Sequence, residues 1–508
     1  MSERVRVRFA PSPTGPLHIG GVRTALYNYL FAKKNNGDFI LRIEDTDKNR
    51  FVPGTEEYII EALDWLNIKF NEGVGIGGNY TPYKQSERKD IYKQYAEQLV
   101  TNGFAYYAFD TPEELDKKRK EYESRKETFQ YGISTRNAMK NSFTLTEQEI
   151  KEKINKNEHF VIRIKIPVDE VIHVHDLIRG NVEVHSSQID DKVLFKSDGL
   201  PTYHLANVVD DYLMKISHVI RGEEWLPSTP LHVLLYKYFG WENEMPIFAH
   251  LPLLLKPDGK GKLSKRDGDK LGFPVFPLQW VDPLTKEISS GYRESGYVPE
   301  AVINIIAFLG WNPGTEKEFF SLDELIEEFS LEKVGKAGCR FDYEKAKWFN
   351  HHYISHKSND ELSEYLNDVL KSKKINSTKE TLIKISELIK DRINFMNEIW
   401  DKSNYFFQQP LAYDQKVIKD KWNENTPSIL NNIIEKIKSV PEFNSVEIEK
   451  TIKDYIQLNN LNAGAIMTIL RILIVGTNSG PELFKIFEII EKDETISRIE
   501  KGIKEHGA

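Results

Sequence analysis

Residues 4–26 read RVRVRFAPSPTGPLHIGGVRTAL, and this stretch decides the fold of the N-terminal part of the chain. Its opening alternation of Arg with Val and Phe predicts a β-strand that has one apolar and one basic face. Three prolines and a glycine then interrupt regular structure, and apolar residues recur at helical spacing from Gly21. The stretch therefore predicts a strand, a stiff loop and a helix, in the manner of an α/β fold.

The loop delivers His18, Gly20 and Gly21 to the helix N-terminus. A helix N-terminus presents free N–H groups and a positive dipole end, and glycines let a ligand approach the backbone closely. This arrangement favours a phosphate site that contains one titratable side chain. However, glycine-bearing strand–loop–helix turns are common in α/β folds, and neither G-x-G-x-x-G nor G-x-x-x-x-G-K occurs in this turn. The turn alone leaves nucleotide binding open.

The composition bounds the class of protein. A chain of 508 residues predicts several domains, and 40% hydrophobic with 29% charged residues is ordinary for a soluble protein. The single thiol, Cys339, excludes an intramolecular disulfide and a cysteine zinc cluster, and suits a reducing cytosol. We expect a cytoplasmic location, because the sequence has neither a signal-peptide core nor an apolar run of membrane length. The net charge of −8 argues against indiscriminate nucleic-acid binding but permits one basic face.

The pattern of elements changes twice along the chain. Strand and helix signals alternate at first, give way to a charged helix pattern at residues 113–126 and to period-two Val, Ile and His at 159–185, and then resume. After about residue 340 the apolar spacing is helical and strand signals nearly vanish. The sequence therefore predicts an α/β fold interrupted by an insert, followed by a separate all-helical region.

A second candidate phosphate element is the basic segment GKGKLSKRDGDK at residues 259–270. A flexible basic loop can close on a polyphosphate and neutralise charge that develops in a transition state. Alternatively, the segment is an exposed, solvated turn. Together with the turn around His18, it supplies the two halves expected of a site that handles phosphates.

Five motifs in this order, APSPTGPLHIGG, LRIEDTD, YHLANVVDD, VIRGEEW and KLSKR, resemble the glutamyl-tRNA synthetases, a family of class I aminoacyl-tRNA synthetases. The resemblance covers essentially the whole chain and is strongest before the helical region. It implies a Rossmann-type α/β catalytic domain at residues 1–85 and 196–250. It also implies a connective α+β insert at 86–195 that holds the acceptor end of tRNA, a stem-contact domain at 251–340 and an all-α anticodon-binding region at 341–508.

The resemblance also implies roles for individual residues. His18 and its glycines match the first family signature, in which Gly21 replaces a second histidine, and KLSKR matches the second signature, with Leu263 and Arg266 as variants. The implied catalytic residues are His18, Lys262 and Lys265. The implied ATP-binding residues are His18, Gly20, Gly21, Glu224, Trp225 and Lys265. The implied glutamate-binding residues are Arg8, Ala10, Ser12, Glu44, Tyr203, Asn207 and Arg221.

The chemistry of glutamate fits these residue types. Its two carboxylates need cationic partners, which Arg8 and Arg221 can supply, and its ammonium group needs an anion such as Glu44. Arg8 could instead be a surface arginine and Glu44 a helix cap, although Glu44 lies close to the strand end. Tyr203 and Asn207 are four residues apart and share one helix face, but they could also be ordinary core and cap residues.

Other polar residues receive structural interpretations. Asp47 is predicted to cap a helix. His173 and His175 share a strand face, but no third ligand for a metal ion is evident, so no metal site is predicted. His351 and His352 are predicted to lie on a helical surface.

The resemblance implies a two-step reaction that attaches L-glutamate to the 3′ end of tRNA(Glu) through glutamyl-adenylate and releases AMP and pyrophosphate. ATP with Mg²⁺, L-glutamate and tRNA(Glu) are the implied partners, with no membrane, and the family expectation is a monomer. Some members hold zinc near the start of the insert. We expect none here, because the corresponding segment carries Tyr106, Tyr107 and Phe109 where thiolates might stand.

Alternative functions remain open at this point. The enzyme could be a non-discriminating form that also charges tRNA(Gln), or a catalytically inactive tRNA-binding paralogue. A tRNA-modifying glutamyl transferase lacks an anticodon-binding region, and a glutaminyl-tRNA synthetase carries β-barrels in its C-terminal part. The helical C-terminal region disfavours both of these.

Overall fold

The computed structural model describes residues 4–264, 267 and 272–506. Lys265 and Arg266 of the KLSKR motif lie outside the described residues. The chain forms two compact units, Met1–Glu294 with Pro299–Tyr343, and Ser295–Val298 with Glu344–Ala508. Within the described ranges, no helix is both long enough and apolar enough to span a bilayer.

The first unit is mixed α/β. Its described strands are β1 (Arg6–Phe9), β2 (Asp38–Leu41), β3 (Glu72–Gly73), β4 (Ala105–Ala108), β5 (Val161–Ile164), β6 (Val171–Asp176), β7 (Gly180–His185), β8 (Val193–Phe195), β9 (His218–Gly222), β10 (Ile247–Leu251), β11 (Leu254–Leu255), β12 (Trp280–Val281), β13 (Ile288–Ser289) and β14 (Cys339–Arg340). Its described helices are α1 (Ile19–Lys34), α2 (Thr55–Trp65), α3 (Lys89–Thr101), α4 (Pro112–Ser124), α5 (Glu147–Asn155), α6 (Tyr203–Leu213), α7 (Thr229–Phe239), α8 (Pro299–Ala307) and α9 (Leu322–Glu328).

A parallel sheet positions the candidate site. Strands β1, β2 and β3 pair in parallel, and a second sheet has the order β7-β6-β10-β9. The backbone N–H of Ser217 donates to the carbonyl of Arg6 (2.9 Å), and the N–H of Arg6 donates to Ser217 Oγ (2.8 Å), which brings β9 beside β1. The carboxyl ends of β1, β2 and β9 therefore lie at one edge, where ligands bind in open α/β sheets.

The strands inside residues 86–195 belong to two different sheets. Strands β4, β5 and β8 form an antiparallel sheet of their own, and helix α4 has no buried residue, as its charged sequence predicts. The hairpin β6–β7, by contrast, joins the sheet of β9 and β10, because β6 pairs in parallel with β10. The domain boundaries drawn from the sequence stay predictions.

Three local expectations need correction. All four residues of β1 are buried, including Arg6, which pairs with Asp38 (2.8 Å), so the strand has no exposed basic face. Helix α1 begins at Ile19 rather than Gly21. The side chain of Asp47 accepts a hydrogen bond from Arg50 Nε (2.9 Å) and makes no capping bond to the backbone.

The second unit is helical, as the sequence predicts, and its described part contains no strand. Helix α10 starts at the last residue of the first unit and continues into the second. The helices are α10 (Tyr343–His356), α11 (Asn359–Ser372), α12 (Lys379–Ile389), α13 (Gln415–Lys421), α14 (Thr426–Lys438), α15 (Ser445–Leu458), α16 (Ala463–Val475), α17 (Leu483–Ile490) and α18 (Lys492–His506).

Candidate active site

A cleft of about 350 Å³ opens at the carboxyl edge of β1, β2 and β9. It brings together every residue that the sequence analysis placed in the site, apart from Lys265, which lies outside the described residues. These lining residues are Arg8, Ala10, Ser12, His18, Gly20, Gly21, Glu44, Tyr203, Asn207, Arg221, Glu224, Trp225 and Lys262. Residues from five separate stretches of the sequence thus share one cavity.

His18 is the N-cap of α1. Its Nδ1 accepts a hydrogen bond from the N–H of Gly20 (3.0 Å), and its carbonyl accepts from the N–H of Gly21 (2.7 Å). The N–H of Ile19 donates to the carbonyl of Val275 (2.9 Å). The expected free N–H groups are therefore already used within the protein, which corrects the sequence interpretation. A neutral ring that accepts at Nδ1 carries its proton on Nε2, so His18 is a donor at that atom.

The two glycines of α1 differ in what they contribute. A Cβ added to Gly20 would meet His18 Nδ1 at 3.4 Å and Leu254 Cδ1 at 3.8 Å, which are ordinary contacts. A Cβ on Gly21 would come within 2.6 Å of Leu17 Cδ1. Packing thus explains the glycine at position 21, while the fold has room for a methyl group at position 20. Because Gly20 has no side chain, the backbone at this point of the cleft wall is accessible to a ligand.

The described part of the basic loop is anchored beside the cleft. Leu263 is buried, Lys262 forms a β-bridge with Leu255, and Lys262 Nζ lies 2.8 Å from Glu224 Oε1. Burial alone would raise the pKa of Glu224, but the hydrogen bond and charge of Lys262, a backbone hydrogen bond and the charge of Arg23 together outweigh it, and the pKa lies below its ordinary value. Glu224 therefore stays ionised and holds the Lys262 ammonium group at the cleft.

A buried ion-pair network supports the floor of the cleft. Arg8 donates through Nε and Nη2 to the two carboxylate oxygens of Asp211 (both 3.1 Å). Arg42 donates from Nη1 to Asp211 Oδ1 (2.8 Å) and from Nη2 to Glu44 Oε1 (3.1 Å). Burial opposes ionisation of Asp211, yet the two guanidinium groups hold its pKa below the ordinary value. For Glu44, burial prevails over Arg42 and Arg8, and its pKa is raised.

Further polar side chains complete this network. In the orientation that satisfies both ends of its amide, Asn207 donates to Asp211 Oδ2 (3.2 Å) and accepts from Arg42 Nη2 (3.2 Å). Asp210 accepts from Arg88 Nε (2.8 Å) and lies 3.7 Å from Arg42 Nε. The network contains three arginines and three carboxylates, so its formal charges balance. These residues are Arg8, Arg42, Arg88, Glu44, Asp210 and Asp211.

Arg221 is not part of this charge-balanced network. It is 5% exposed, and its guanidinium group donates to Tyr203 Oη (2.6 Å), Thr229 Oγ1 (3.0 Å), the Trp225 carbonyl (3.4 Å) and His250 Nε2 (3.0 Å). All of these partners are neutral, and among the described residues no carboxylate lies within ion-pair distance. A buried cation without an anion is costly, so this end of the cleft is built for an anionic ligand.

Comparison with known proteins agrees with this geometry. A family model described as the catalytic domain of class I tRNA synthetases (E and Q) matches residues 4–348. The chain belongs to this family. A second family model, an anticodon-binding domain, matches residues 358–503. The fold class predicted from the sequence, a class I catalytic domain followed by a helical anticodon-binding domain, is confirmed.

Relatives match over the full length. The glutamate–tRNA ligase of Porphyromonas gingivalis is 55% identical over 505 residues, covering 99% of both chains. That of Parabacteroides distasonis is 56% identical over 502 residues, again covering 99% of both. A crystal structure of a glutamate tRNA ligase from Elizabethkingia meningosepticum in complex with its amino acid superposes with a TM-score of 0.96 at 52% identity, covering 99% of this chain and 100% of that one.

The sequence analysis did not identify the buried charged residues that lie behind the cleft. Arg42, Asp210 and Asp211 lie within the quoted motifs but received no role. The available signal was that these charges stand among apolar residues, as Arg42 does in FILRI and the pair Asp210 and Asp211 does in LANVVDDYL. The histidine behind Arg221, His250, was also missed, because nothing in its local sequence shows which residue it faces.

Proposed function

We propose that this chain attaches L-glutamate to the 3′ end of tRNA(Glu) at the expense of ATP. The observation that carries the proposal is Arg221, a buried cation whose described partners are all neutral, in a cleft shared with the acid Glu44. Such a pair suits a small amino acid with an extra carboxylate. The full-length similarity to glutamate–tRNA ligases supports the same conclusion.

The glutamate pocket lies at the Arg221 end of the cleft. The side-chain carboxylate of glutamate pairs with Arg221, whose guanidinium group is oriented by Tyr203, and the α-carboxylate remains available to react with ATP. Glu44 binds the ammonium group, and this second cation offsets the burial that raises the pKa of its carboxyl group. Arg8 contributes positive potential while Asp211 holds it in place. Ala10, Ser12 and Asn207 complete the pocket wall.

The nucleotide lies at the α1 end of the cleft. Gly20 gives the phosphates a close approach to the helix, with Gly21 beside it in the cleft lining, His18 donates from Nε2, and Lys262 and Lys265 neutralise phosphate charge. Glu224 and Trp225 flank the adenosine. Magnesium enters as the counter-ion of the ATP phosphates.

The reaction then has two steps. A carboxylate oxygen of the bound glutamate attacks the α-phosphorus of ATP in line, and pyrophosphate leaves with its charge stabilised by His18 and the two lysines. The 2′-hydroxyl of the terminal tRNA ribose next attacks the carbonyl carbon of glutamyl-adenylate, and AMP leaves. No covalent intermediate with the enzyme is needed.

The tRNA contacts follow the proposed domains. The catalytic domain comprises residues 1–85 and 196–250, the insert 86–195 holds the acceptor end, and 251–340 contacts the stem. A second cavity, of about 500 Å³, supports this role for the insert, because it combines cationic and aromatic side chains and shares Tyr203 with the first cleft. Its cationic and aromatic lining includes Arg119, Phe129, Tyr131, Arg163 and Lys192. Residues 341–508 read the anticodon.

The insert is proposed to hold no zinc, and the enzyme to act as a cytoplasmic monomer. In the segment where some family members bind zinc, Tyr106 Oη donates to the buried Asp191 (2.6 Å) and Phe109 is buried. Aromatic packing and this hydrogen bond can hold the segment without coordination.

Exchange of radiolabelled pyrophosphate into ATP, with tRNA(Glu) present, tests the proposal. We expect exchange that depends on L-glutamate and that L-glutamine does not replace, because its amide leaves Arg221 without an anion. A folded protein that catalyses no exchange would instead be the inactive tRNA-binding paralogue.

A further inference from the structure

Two residues behind Arg221 support the guanidinium group that faces the cleft. Behind Arg221 lies His250, and behind His250 lies Asp176, the last residue of β6 in the hairpin β6–β7. His250 and Asp176 are both essentially unexposed. Neither residue lines the cleft, and neither has a part in the proposed reaction.

The distances fix the protonation of this chain of groups. Arg221 Nε is an obligatory donor and lies 3.0 Å from His250 Nε2, so Nε2 must accept. The proton of a neutral His250 then sits on Nδ1, which donates to Asp176 Oδ2 (2.6 Å). Burial lowers the pKa of His250, which favours this neutral state beside the guanidinium group.

Asp176 can impose this tautomer because its own orientation is fixed. Its Oδ1 accepts the backbone N–H groups of Ile178 (2.9 Å) and Arg179 (2.8 Å), and its Oδ2 accepts the N–H of His250 (3.1 Å) as well as the ring Nδ1. Every neighbour is a donor, so only an ionised carboxylate satisfies all of them.

We propose that Asp176 and His250 are positioning residues for glutamate recognition: Asp176 fixes the tautomer of His250, and His250 aims the Arg221 guanidinium group at the substrate carboxylate. The inference rests on the proposed function, since it assumes that Arg221 binds glutamate. It also links the hairpin inside residues 86–195 to the amino-acid pocket. The competing interpretation is that Asp176 only stabilises the hairpin turn.

The variant Asp176→Asn separates these interpretations. The N–H groups of Ile178 and Arg179 hold the remaining oxygen, so the new NH₂ group faces His250 Nδ1 and donates to it. His250 then carries its proton on Nε2, where it meets the N–H of Arg221. Loss of this charged hydrogen bond should weaken glutamate binding about tenfold and leave ATP binding within about twofold. Isothermal titration calorimetry measures both.

The effect of Asp176→Asn should also be measured in the variant His250→Gln, which lacks the histidine ring. A glutamine amide reaches the position of Nε2 but not that of Nδ1, so its oxygen can accept from Arg221 whatever residue stands at position 176. In this background, Asp176→Asn should change the dissociation constant for glutamate less than about twofold. Nitrogen-15 NMR of histidine-labelled protein should show an unprotonated Nε2 for His250 in the wild type and a protonated one in Asp176→Asn, with the resonance assigned by its loss in His250→Gln.

A matched control is Asp191→Asn. Asp191 is another buried carboxylate of this unit, which accepts from Tyr106 Oη (2.6 Å) and the N–H of Ile166 (3.0 Å) and has no contact with Arg221. It should lower the unfolding temperature and leave glutamate binding within about twofold of the wild type.

Two results would overturn the positioning role: an equal loss from Asp176→Asn in both backgrounds, or glutamate binding within about twofold of the wild type in Asp176→Asn. If the proposed function itself is wrong, a different experimental result is expected. In that case Arg221→Gln itself would leave glutamate binding unchanged.

Discussion

Arg8, Arg42 and Arg221 are three buried guanidinium groups in different electrostatic situations. Arg8 and Arg42 share Asp211, whereas Arg221 has only neutral partners among the described residues. Burial of a charge is tolerated when an opposite charge and hydrogen bonds compensate it. The charges of the first two arginines are therefore compensated within the protein, whereas the charge of the third is compensated fully only when an anionic ligand is bound.

Replacement of the ligand-facing arginine tests this distinction. Arg221→Gln should weaken glutamate binding at least about 100-fold, because a desolvated carboxylate loses its ion-pair partner. ATP binding should change little. Calorimetry with each ligand separates the two effects, and equal binding of glutamate and glutamine by the wild type would refute this pocket.

Substitution of Asp211, which pairs with both Arg8 and Arg42, should instead lower the stability of the fold. Asp211→Asn leaves Arg8 and Arg42 with an uncompensated charge and should lower the free energy of unfolding by about 3–5 kcal/mol. Because the pKa of Asp211 is lowered in the folded state, its contribution is present above the ordinary aspartate pKa and is lost as pH falls through the lowered value. Urea unfolding at several pH values measures this. The exposed pair of Asp47 with Arg50 is the control, and Asp47→Asn should cost below about 1 kcal/mol.

At this scale, the sequence predicted which residues line the cleft better than it predicted the charged residues behind them. Arg8, Glu44 and Arg221 follow from motifs whose chemistry matches glutamate. Asp211 pairs with an arginine 203 residues earlier in the chain, and no local periodicity encodes such a contact.

At the scale of elements, the strand–loop–helix turn and the described part of the basic loop form the end of the cleft where we propose that the nucleotide binds. The sequence predicted both, but it placed the start of α1 at Gly21 and assumed free N–H groups there. The structure begins the helix at Ile19 because the side chain of His18 caps it. Because the N–H groups already make hydrogen bonds within the protein, the turn contributes the helix dipole, the open backbone at Gly20 and the ring of His18 to the cleft.

Gly20→Ala tests the open backbone at this position. The fold has room for the methyl group, and alanine favours helix over glycine by about 0.5–1 kcal/mol, so the unfolding temperature should stay equal or rise. The KM for ATP should nevertheless rise about tenfold if phosphates approach at this point. An unchanged KM would place the phosphates elsewhere.

Lys265→Ala tests the basic loop. Adenylate formation should slow by at least about 100-fold, the scale of losing a charge partner in the transition state, with little change in glutamate binding. Lys260→Ala, an exposed lysine in the same loop, is the matched control and should remain near the wild-type rate. Survival of pyrophosphate exchange in Lys265→Ala would show that the loop assignment is wrong.

At the scale of the whole molecule, an α/β unit is followed by a helical unit. The change in apolar period near residue 340 predicted this division, because strands and helices need different spacings of buried residues. The sheet order was not predictable in the same way. The hairpin β6–β7 reads as ordinary strands, and only tertiary pairing shows that β6 joins β10.

The metal content of the whole chain is also testable. Elemental analysis of purified, chelator-free protein should find zinc well below one equivalent, because Cys339 is the only thiol in the sequence. Stoichiometric, tightly held zinc would show that histidines and carboxylates form a site.

An aminoacylation assay shows whether the protein attaches glutamate, and not glutamine, to tRNA(Glu). Purified protein is incubated with ATP, magnesium, tRNA(Glu) and radiolabelled amino acid, and acid-precipitable label is counted. We expect that glutamate is transferred to the tRNA and that glutamine is not, because the buried Arg221 requires a side-chain carboxylate. A folded protein that charges no tRNA, or that transfers glutamine as readily as glutamate, would contradict this expectation.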